Sequence, residues 1–210
     1  LLPIRLCDAL EFIPGGRNFR LTVSGLPISG KADDNLVLRA ARLVQSAYHT
    51  DGGEIYLHKV IPSGGGLGGG SSDAAHMLLL LNTTFGLGIG PEGLHRLATA
   101  LGSDCPFFLQ DRPALVSVRG EWVQPIRWPA KPIFIILLKP SAEISTAGAY
   151  REISPGSGRP AFSAEDADRP VDSWMAHFTN DFQPLAVKLI PEIMDLMEWM
   201  QEMGSFYTAL

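Results

Sequence analysis

Six glycines occupy seven positions between Gly64 and Gly70, broken only by Leu67, inside the stretch HKVIPSGGGLGGGSSDAAHMLLLL. Ordering glycine costs more backbone entropy than ordering any other residue, so this density needs a reason. A flexible linker is one, but an apolar run follows directly and Leu67 would be out of place in it. A dinucleotide turn is another, since Gly64, Gly66 and Gly69 satisfy GxGxxG. That fold also wants a strand ending in an acidic residue roughly 20 positions on. Here that region reads NTTFGLGIGPEGL, a turn into a helix. The third is a phosphate cradle, in which glycines let backbone N–H groups wrap anionic oxygens at the positive end of a helix. Ser71 and Ser72 can cap that helix, meet a phosphate oxygen or ligate a metal. No Lys follows the glycines, so this is not the Walker pattern. The favoured reading is a different phosphate loop, for a nucleoside triphosphate.

A second chemical candidate is Asp104 in GSDCP. Phosphoryl transfer asks a protein for positioning, charge stabilisation and one acidic group that orients or deprotonates the attacking hydroxyl. Locally Asp104 reads equally as a helix N-cap, because Pro106 can open a short helix after it. Lys59 ends the strand before the loop, where a lone lysine is ordinarily a solvated edge residue. His58, His76 and His95 lack metal spacing, and His76 reads as a core histidine of a buried helix.

These residues must be held by elements that the pattern also predicts. DALEFIP and FRLTVSG alternate apolar and polar residues and, joined by GGRN, read as a strand hairpin. KADDNLVLRAARLVQSAYH opens on the N-cap candidates Asp33, Asp34 and Asn35, and Leu36, Ala40, Leu43 and Val44 recur at helical spacing. GEIYLHKVIP is a strand with Ile55, Leu57 and Lys59 on one face. The loop then feeds a helix from Ser72 to about Thr84, apolar nearly all round and therefore buried. GPEGLHRLATALG is a further helix with Pro91 in its first turn. ALVSVRG and EWVQPI form a hairpin, PIFIILLKP reads as a central strand, and residues 154–171 read as a surface excursion. TNDFQPLAVKLIPEIMDLMEWMQEMGS is a long amphipathic helix that Pro191 kinks or interrupts. Strands and helices mix without strict alternation, which predicts an α+β fold, with a boundary between 1–128 and 129–210.

The chain of 210 residues has a net charge of −5 with scattered basic residues, which argues against a nucleic-acid surface. Its two cysteines, Cys7 and Cys105, form no disulfide framework and read as reduced thiols of a cytoplasmic protein. No apolar run approaches the roughly 18 residues of a membrane span.

The stretch PSGGGLGGGSSDAA closely resembles the second motif of the GHMP kinases, and DDNLVLRAARL, LGSDCPFFL and FTNDFQPLA fit the same superfamily at the expected separations. The doubled GGGLGGGSS form resembles the branch that phosphorylates the 2-hydroxyl of a cytidine-diphosphate-linked methylerythritol in non-mevalonate isoprenoid synthesis. The resemblance spans about Asp8 to Tyr207. It implies ATP with Mg²⁺, and a two-domain fold with an ATP domain and a smaller substrate domain, the active site lying between them. It implies nucleotide contacts from Asn35, Lys59, Pro62, Gly64, Gly65, Gly66, Leu67, Gly68, Gly69, Gly70, Ser71 and Ser72. It makes Asp104 the catalytic group and a substrate contact, and sets Thr146 at the substrate. Ser72 or Asp73 stands as a possible metal ligand. Another small-alcohol kinase of this superfamily, or a nucleotide-binding pseudokinase, stays open beside this reading.

The superfamily also carries a P-x-K-x-N strand, whose lysine works with the aspartate, and a Tyr-His pair that reads cytosine. Position 1 corresponds to a point past both, and a G-S-G-S segment would follow MGSFYTAL. The expectation is a trimmed chain, inactive or nearly so on these residues alone.

Overall fold

The computed structural model describes residues 1–210 apart from 29, 128–132, 141, 143, 145, 154–162, 164, 167 and 168. Two compact units emerge, Leu1–Ile126 and Arg127–Leu210.

The first unit is built on a three-stranded sheet of β1 (Ala9–Pro14), β2 (Phe19–Gly25) and β3 (Gly53–Lys59) in the order β1-β3-β2. β1 runs antiparallel to β3 and β2 runs parallel to it. The hairpin expected for β1 and β2 therefore does not form: β3 inserts between them. The reason lies at the GGRN turn. Gly15 N–H donates to Gly52 O at 3.1 Å and Gly52 N–H to Gly16 O at 2.9 Å, so the turn wraps the entry to β3 rather than closing on itself. Gly52 permits this approach, since a Cβ there would stand 2.4 Å from the Asn18 backbone.

Along β3, Gly53, Ile55, Leu57 and Lys59 are buried while Tyr56 and His58 face solvent. This is the period-two pattern of a sheet with one packed face. That face is covered by α1 (Leu36–Tyr48) and α2 (Gly69–Thr84), and α3 (Pro91–Leu101) packs against both helices. Val37, Ala40, Ala41 and Val44 of α1 meet Ala74, Met77, Leu78 and Leu81 of α2 and Ile55 and Leu57 of β3 in one core. Asn35, of the three cap candidates, is the one that caps α1: its Oδ1 accepts from Val37 N–H at 2.9 Å. The glycine helix starts at Gly69, three residues earlier than the expected Ser72, so the last two glycines belong to its first turn.

A 3₁₀ turn (Cys105–Leu109) follows α3, and β4 (Ala114–Ser117) pairs antiparallel with β5 (Trp122–Pro125) as the expected hairpin.

The second unit holds α4 (Thr146–Glu152), α5 (Trp174–His177), α6 (Gln183–Leu189) and α7 (Glu192–Glu202). Pro191, the N-cap of α7, splits the expected long helix in two, as a residue with no N–H to donate should. Ala186, Ile193 and Met197 form its small core with Ile144, Val187 and Ile190. The central strand expected at PIFIILLKP is not seen: residues 133–140 join no ladder among the described residues, and Phe134 is 92% exposed. An apolar run becomes a strand only where a sheet edge meets it, and among the described residues none does. Most of the excursion expected over 154–171 lies outside the described residues.

Candidate active site

The glycine loop leaves the end of β3 and turns into α2 through alternate left-handed residues, Gly64 at φ +71°, Gly66 at φ +70° and Gly68 at φ +68°. A side chain at any of these would be strained, because L-residues put Cβ against the carbonyl in that region. Gly68, the N-cap of α2, has a second constraint: its Cβ would lie 2.8 Å from the Phe108 ring. At Gly69 a Cβ would meet Ile61 Cγ2 at 2.8 Å and Lys59 Nζ at 3.4 Å.

The first intrahelical bond of α2 runs from Ser72 N–H to Gly68 O at 2.9 Å. The N–H groups of Gly69, Gly70 and Ser71 precede it and have no intrahelical acceptor. Three amides at the positive end of a 16-residue helix form an anion seat, and the glycines keep side chains away from it. Ser71 and Ser72 lie half-buried within this turn, and the Ser71 side chain neighbours the Cys105 thiol, which burial pushes up from its ordinary pKa.

Beneath the seat lies a buried charge cluster. Lys59, 3% exposed, donates from Nζ to Asp73 Oδ2 at 2.8 Å and to Asp8 Oδ2. Asp8 Oδ1 in turn accepts from Val60 N–H at 2.6 Å and Ile61 N–H at 2.8 Å. Burial works to lower the Lys59 pKa, but the two carboxylates outweigh it and hold the ammonium above its usual range. Burial likewise works to raise Asp8, yet Lys59 and the two amides hold its carboxyl below the usual value. Asp73 is the odd member. Burial lifts it to about 6; the Lys59 hydrogen bond opposes that lift, and the charge of Asp8 adds to it. An ammonium has three donors and two are spent here, which leaves one for a ligand.

Asn35, Leu36, Leu57, Lys59, Gly70 and Asp73 all line one pocket of about 140 Å³, together with Lys31, Asp34 and Ser63. Asn35 and Leu36 thus stand across this pocket from the glycine helix. Asn35 Oδ1 is committed to the α1 cap, which leaves its amide NH₂ for the pocket.

Asp104 is exposed at the cap position of the 3₁₀ turn, but its side chain makes no capping bond. The simple capping role is therefore absent. The turn it introduces is fastened to the start of α2 through Phe108 under Gly68 and Cys105 beside Ser71. On its other side, Gly120 in the β4–β5 turn (φ +88°) comes so close that a Cβ would stand 1.6 Å from Ser103 O. His76 is exposed rather than a core histidine; its Nδ1 lies 2.8 Å from Ser72 O. An α2 turn whose buried positions are Asp73, Ala74, Ala75 and Met77 leaves residue 76 on the open side. Among the described residues no three His, Cys, Asp or Glu side chains are grouped to hold a metal, and no helix is long and apolar enough to cross a membrane.

Sequence reasoning missed Asp8. It is 51 residues from its Lys59 partner, and a single aspartate ahead of a strand carries no local signal of that contact.

Residues 35–112 match the GHMP kinases N terminal domain. The chain is 35% identical over 209 residues to a 4-diphosphocytidyl-2-C-methyl-D-erythritol kinase of Parabacteroides distasonis, covering 99% of this chain and 76% of that protein. The chain belongs to the GHMP kinases. A kinase of the same name from Pelotomaculum thermopropionicum is 38% identical, with 96% and 72% of the two chains covered. A crystal structure of a 4-(cytidine 5'-diphospho)-2C-methyl-D-erythritol kinase superposes at a TM-score of 0.73 with 31% identity, over 95% of this chain and 71% of that one. A homoserine kinase from Cytophaga hutchinsonii, at 16% identity and a TM-score of 0.59, shares the fold. Membership in the family makes this GHMP kinase an α+β phosphotransferase with an alcohol acceptor, and implies ATP as its donor. In this GHMP kinase Thr146 opens α4 in the second unit, and its side chain lies outside the described residues.

Proposed function

We propose that this GHMP kinase transfers the γ-phosphoryl group of ATP to the 2-hydroxyl of 4-(cytidine 5'-diphospho)-2-C-methyl-D-erythritol. The O–P bond to the acceptor forms as the bond to ADP breaks, and the hydroxyl proton leaves to a base. The observation that carries the reading is the three-amide seat at Gly69, Gly70 and Ser71, in a chain 35% identical over nearly its full length to a kinase of that name. Isoprenoid precursor synthesis in the cytoplasm is the corresponding setting.

In this reading the residues from Pro62 to Ser72 cradle the phosphates, and Asn35 and Leu36 wall the pocket that takes the base. Lys59 offers its remaining donor to the nucleotide. Asp104, exposed and uncommitted among the described residues, orients or deprotonates the acceptor hydroxyl. The first unit serves the nucleotide, and the second unit, with Thr146, serves the acceptor.

Magnesium arrives with ATP and offsets phosphate charge. Of the two candidate ligands, the Ser72 hydroxyl in the first turn of α2 fits. Asp73 fits poorly, because its side chain is 7% exposed and its Oδ2 is held by Lys59.

The test is a mass spectrum of the full-length gene product incubated with Mg-ATP and the cytidine-diphosphate methylerythritol. A product one phosphoryl group heavier than the acceptor is expected. An ATP-binding protein that leaves this acceptor unchanged but phosphorylates another small alcohol would overturn the substrate and keep the kinase.

A further inference from the structure

We propose that Asp8 is a positioning residue of the nucleotide site, holding the Lys59 ammonium and the first two amides of the glycine loop in place beneath the start of α2. The inference rests on the kinase reading above and extends it to a residue that touches no substrate.

The β1–β3 ladder ends at the Ala9–His58 pair. One step further, where Asp8 would oppose Lys59, backbone pairing gives way to the Asp8 side chain. Its carboxylate takes the place of the missing strand, accepting the N–H groups of Val60 and Ile61 on Oδ1 and the Lys59 ammonium on Oδ2. The side chain is 2% exposed, and three donors engage it. A buried carboxylate so fully satisfied is rigid, and removing its charge strands the groups it holds.

Those groups reach the phosphate seat directly. A Cβ added at Gly69, the first residue of α2, would meet the Ile61 side chain and the Lys59 Nζ. Lys59 and its second partner Asp73 also line the pocket beside Asn35. From the far edge of the sheet, Leu26 N–H donates to Lys59 O at 2.9 Å, where Gly25 (φ +80°) lets the strands close up. The Lys59 backbone is thus fixed by β2, while its ammonium is shared between Asp8 and Asp73 and the next two amides rest on Asp8. Loss of Asp8 leaves the sheet standing and frees the part that faces the nucleotide.

The experiment compares the full-length gene product with its Asp8→Asn and Asp8→Glu variants. It measures the Kd of Mg-ATP by calorimetry, the KM of ATP and of the acceptor, kcat at saturating ATP, and the urea midpoint. Asp8→Asn is expected to weaken ATP about tenfold or more in both Kd and KM, the scale of a lost charged hydrogen bond. Acceptor KM and kcat should stay within about threefold. Asp8→Glu, which keeps the charge but moves it by one methylene, should fall between. A folded Asp8→Asn that binds ATP like the parent overturns the proposal. So does a parallel loss of active fraction with both KM values unchanged, which is what a purely structural aspartate would show. If Asp8→Asn fails to fold, Asp8→Glu decides: weakened ATP binding supports the role and unchanged binding overturns it. A folded parent that binds no ATP overturns the kinase reading together with this one.

Discussion

Lys59 and Asp73 form a buried ion pair, 2.8 Å from Nζ to Oδ2, that ties the last residue of β3 to the second turn of α2 across the glycine loop. The loop is therefore anchored at both ends by one contact, and its first two amides, Val60 and Ile61 N–H, are held by Asp8. A glycine-rich segment held this way keeps the anion seat formed without a ligand.

The same pair sets a pH dependence. The folded-state pKa of Asp73 is raised, to about 6, so the folded protein binds a proton there that the unfolded chain releases near 4. A raised acid contributes stability that is fully present below the unfolded value and is lost as pH climbs through the folded one. Stability should fall by about 2–3 kcal/mol between pH 4 and 7 from this group. Asp8, whose pKa is lowered, acts in the opposite sense and at lower pH, and Lys59, whose pKa is raised, acts only in strongly alkaline solution. Urea midpoints at pH 5 and 7.5 check this, with Asp73→Asn expected to flatten the difference.

Asp104 carries the acceptor chemistry in the proposed reaction. Asp104→Asn should lower kcat by about a hundredfold or more, the scale of a general base, with ATP affinity unchanged. Its exposed side chain makes no capping bond, so the urea midpoint should hold. Near-normal turnover would remove Asp104 from the mechanism.

Gly68 is constrained twice, by φ +68° and by the Phe108 ring. Gly68→Ala should cost about 1–2 kcal/mol from the left-handed backbone alone and distort the amide seat further by steric pressure. Calorimetry should show weaker Mg-ATP binding. A double variant with Phe108→Ala relieves the contact but not the backbone strain, so recovery should be partial.

Gly120 touches the Asp104 loop from behind. A methyl group there overlaps Ser103 O, a backbone atom that cannot rotate aside. Gly120→Ala should shift Ser103 and Asp104, reducing kcat more than ATP affinity. Equal losses in both would place the displacement in the hairpin instead.

Much of this molecule was legible in the order of its residues, because the relevant physics is local. The period-two burial of β3, the Asn35 cap of α1, the Pro91 start of α3 and the interruption at Pro191 each depend on neighbours within a few positions. The glycine density pointed to a left-handed backbone turning into a helix for the same reason, since backbone freedom belongs to each residue by itself. What the tertiary structure alone decided concerns contacts between distant residues. Whether β1 pairs with β2 or with β3 turns on how Gly52 fits against Asn18, which no alternation of side chains encodes. PIFIILLKP has the composition of a strand, but pairing needs an edge to meet it. Lys59 reads as an ordinary strand-end lysine until Asp8, 51 residues before it, and Asp73, 14 after it, close on it. Burial of a charge is settled by what the whole fold brings within a few ångströms.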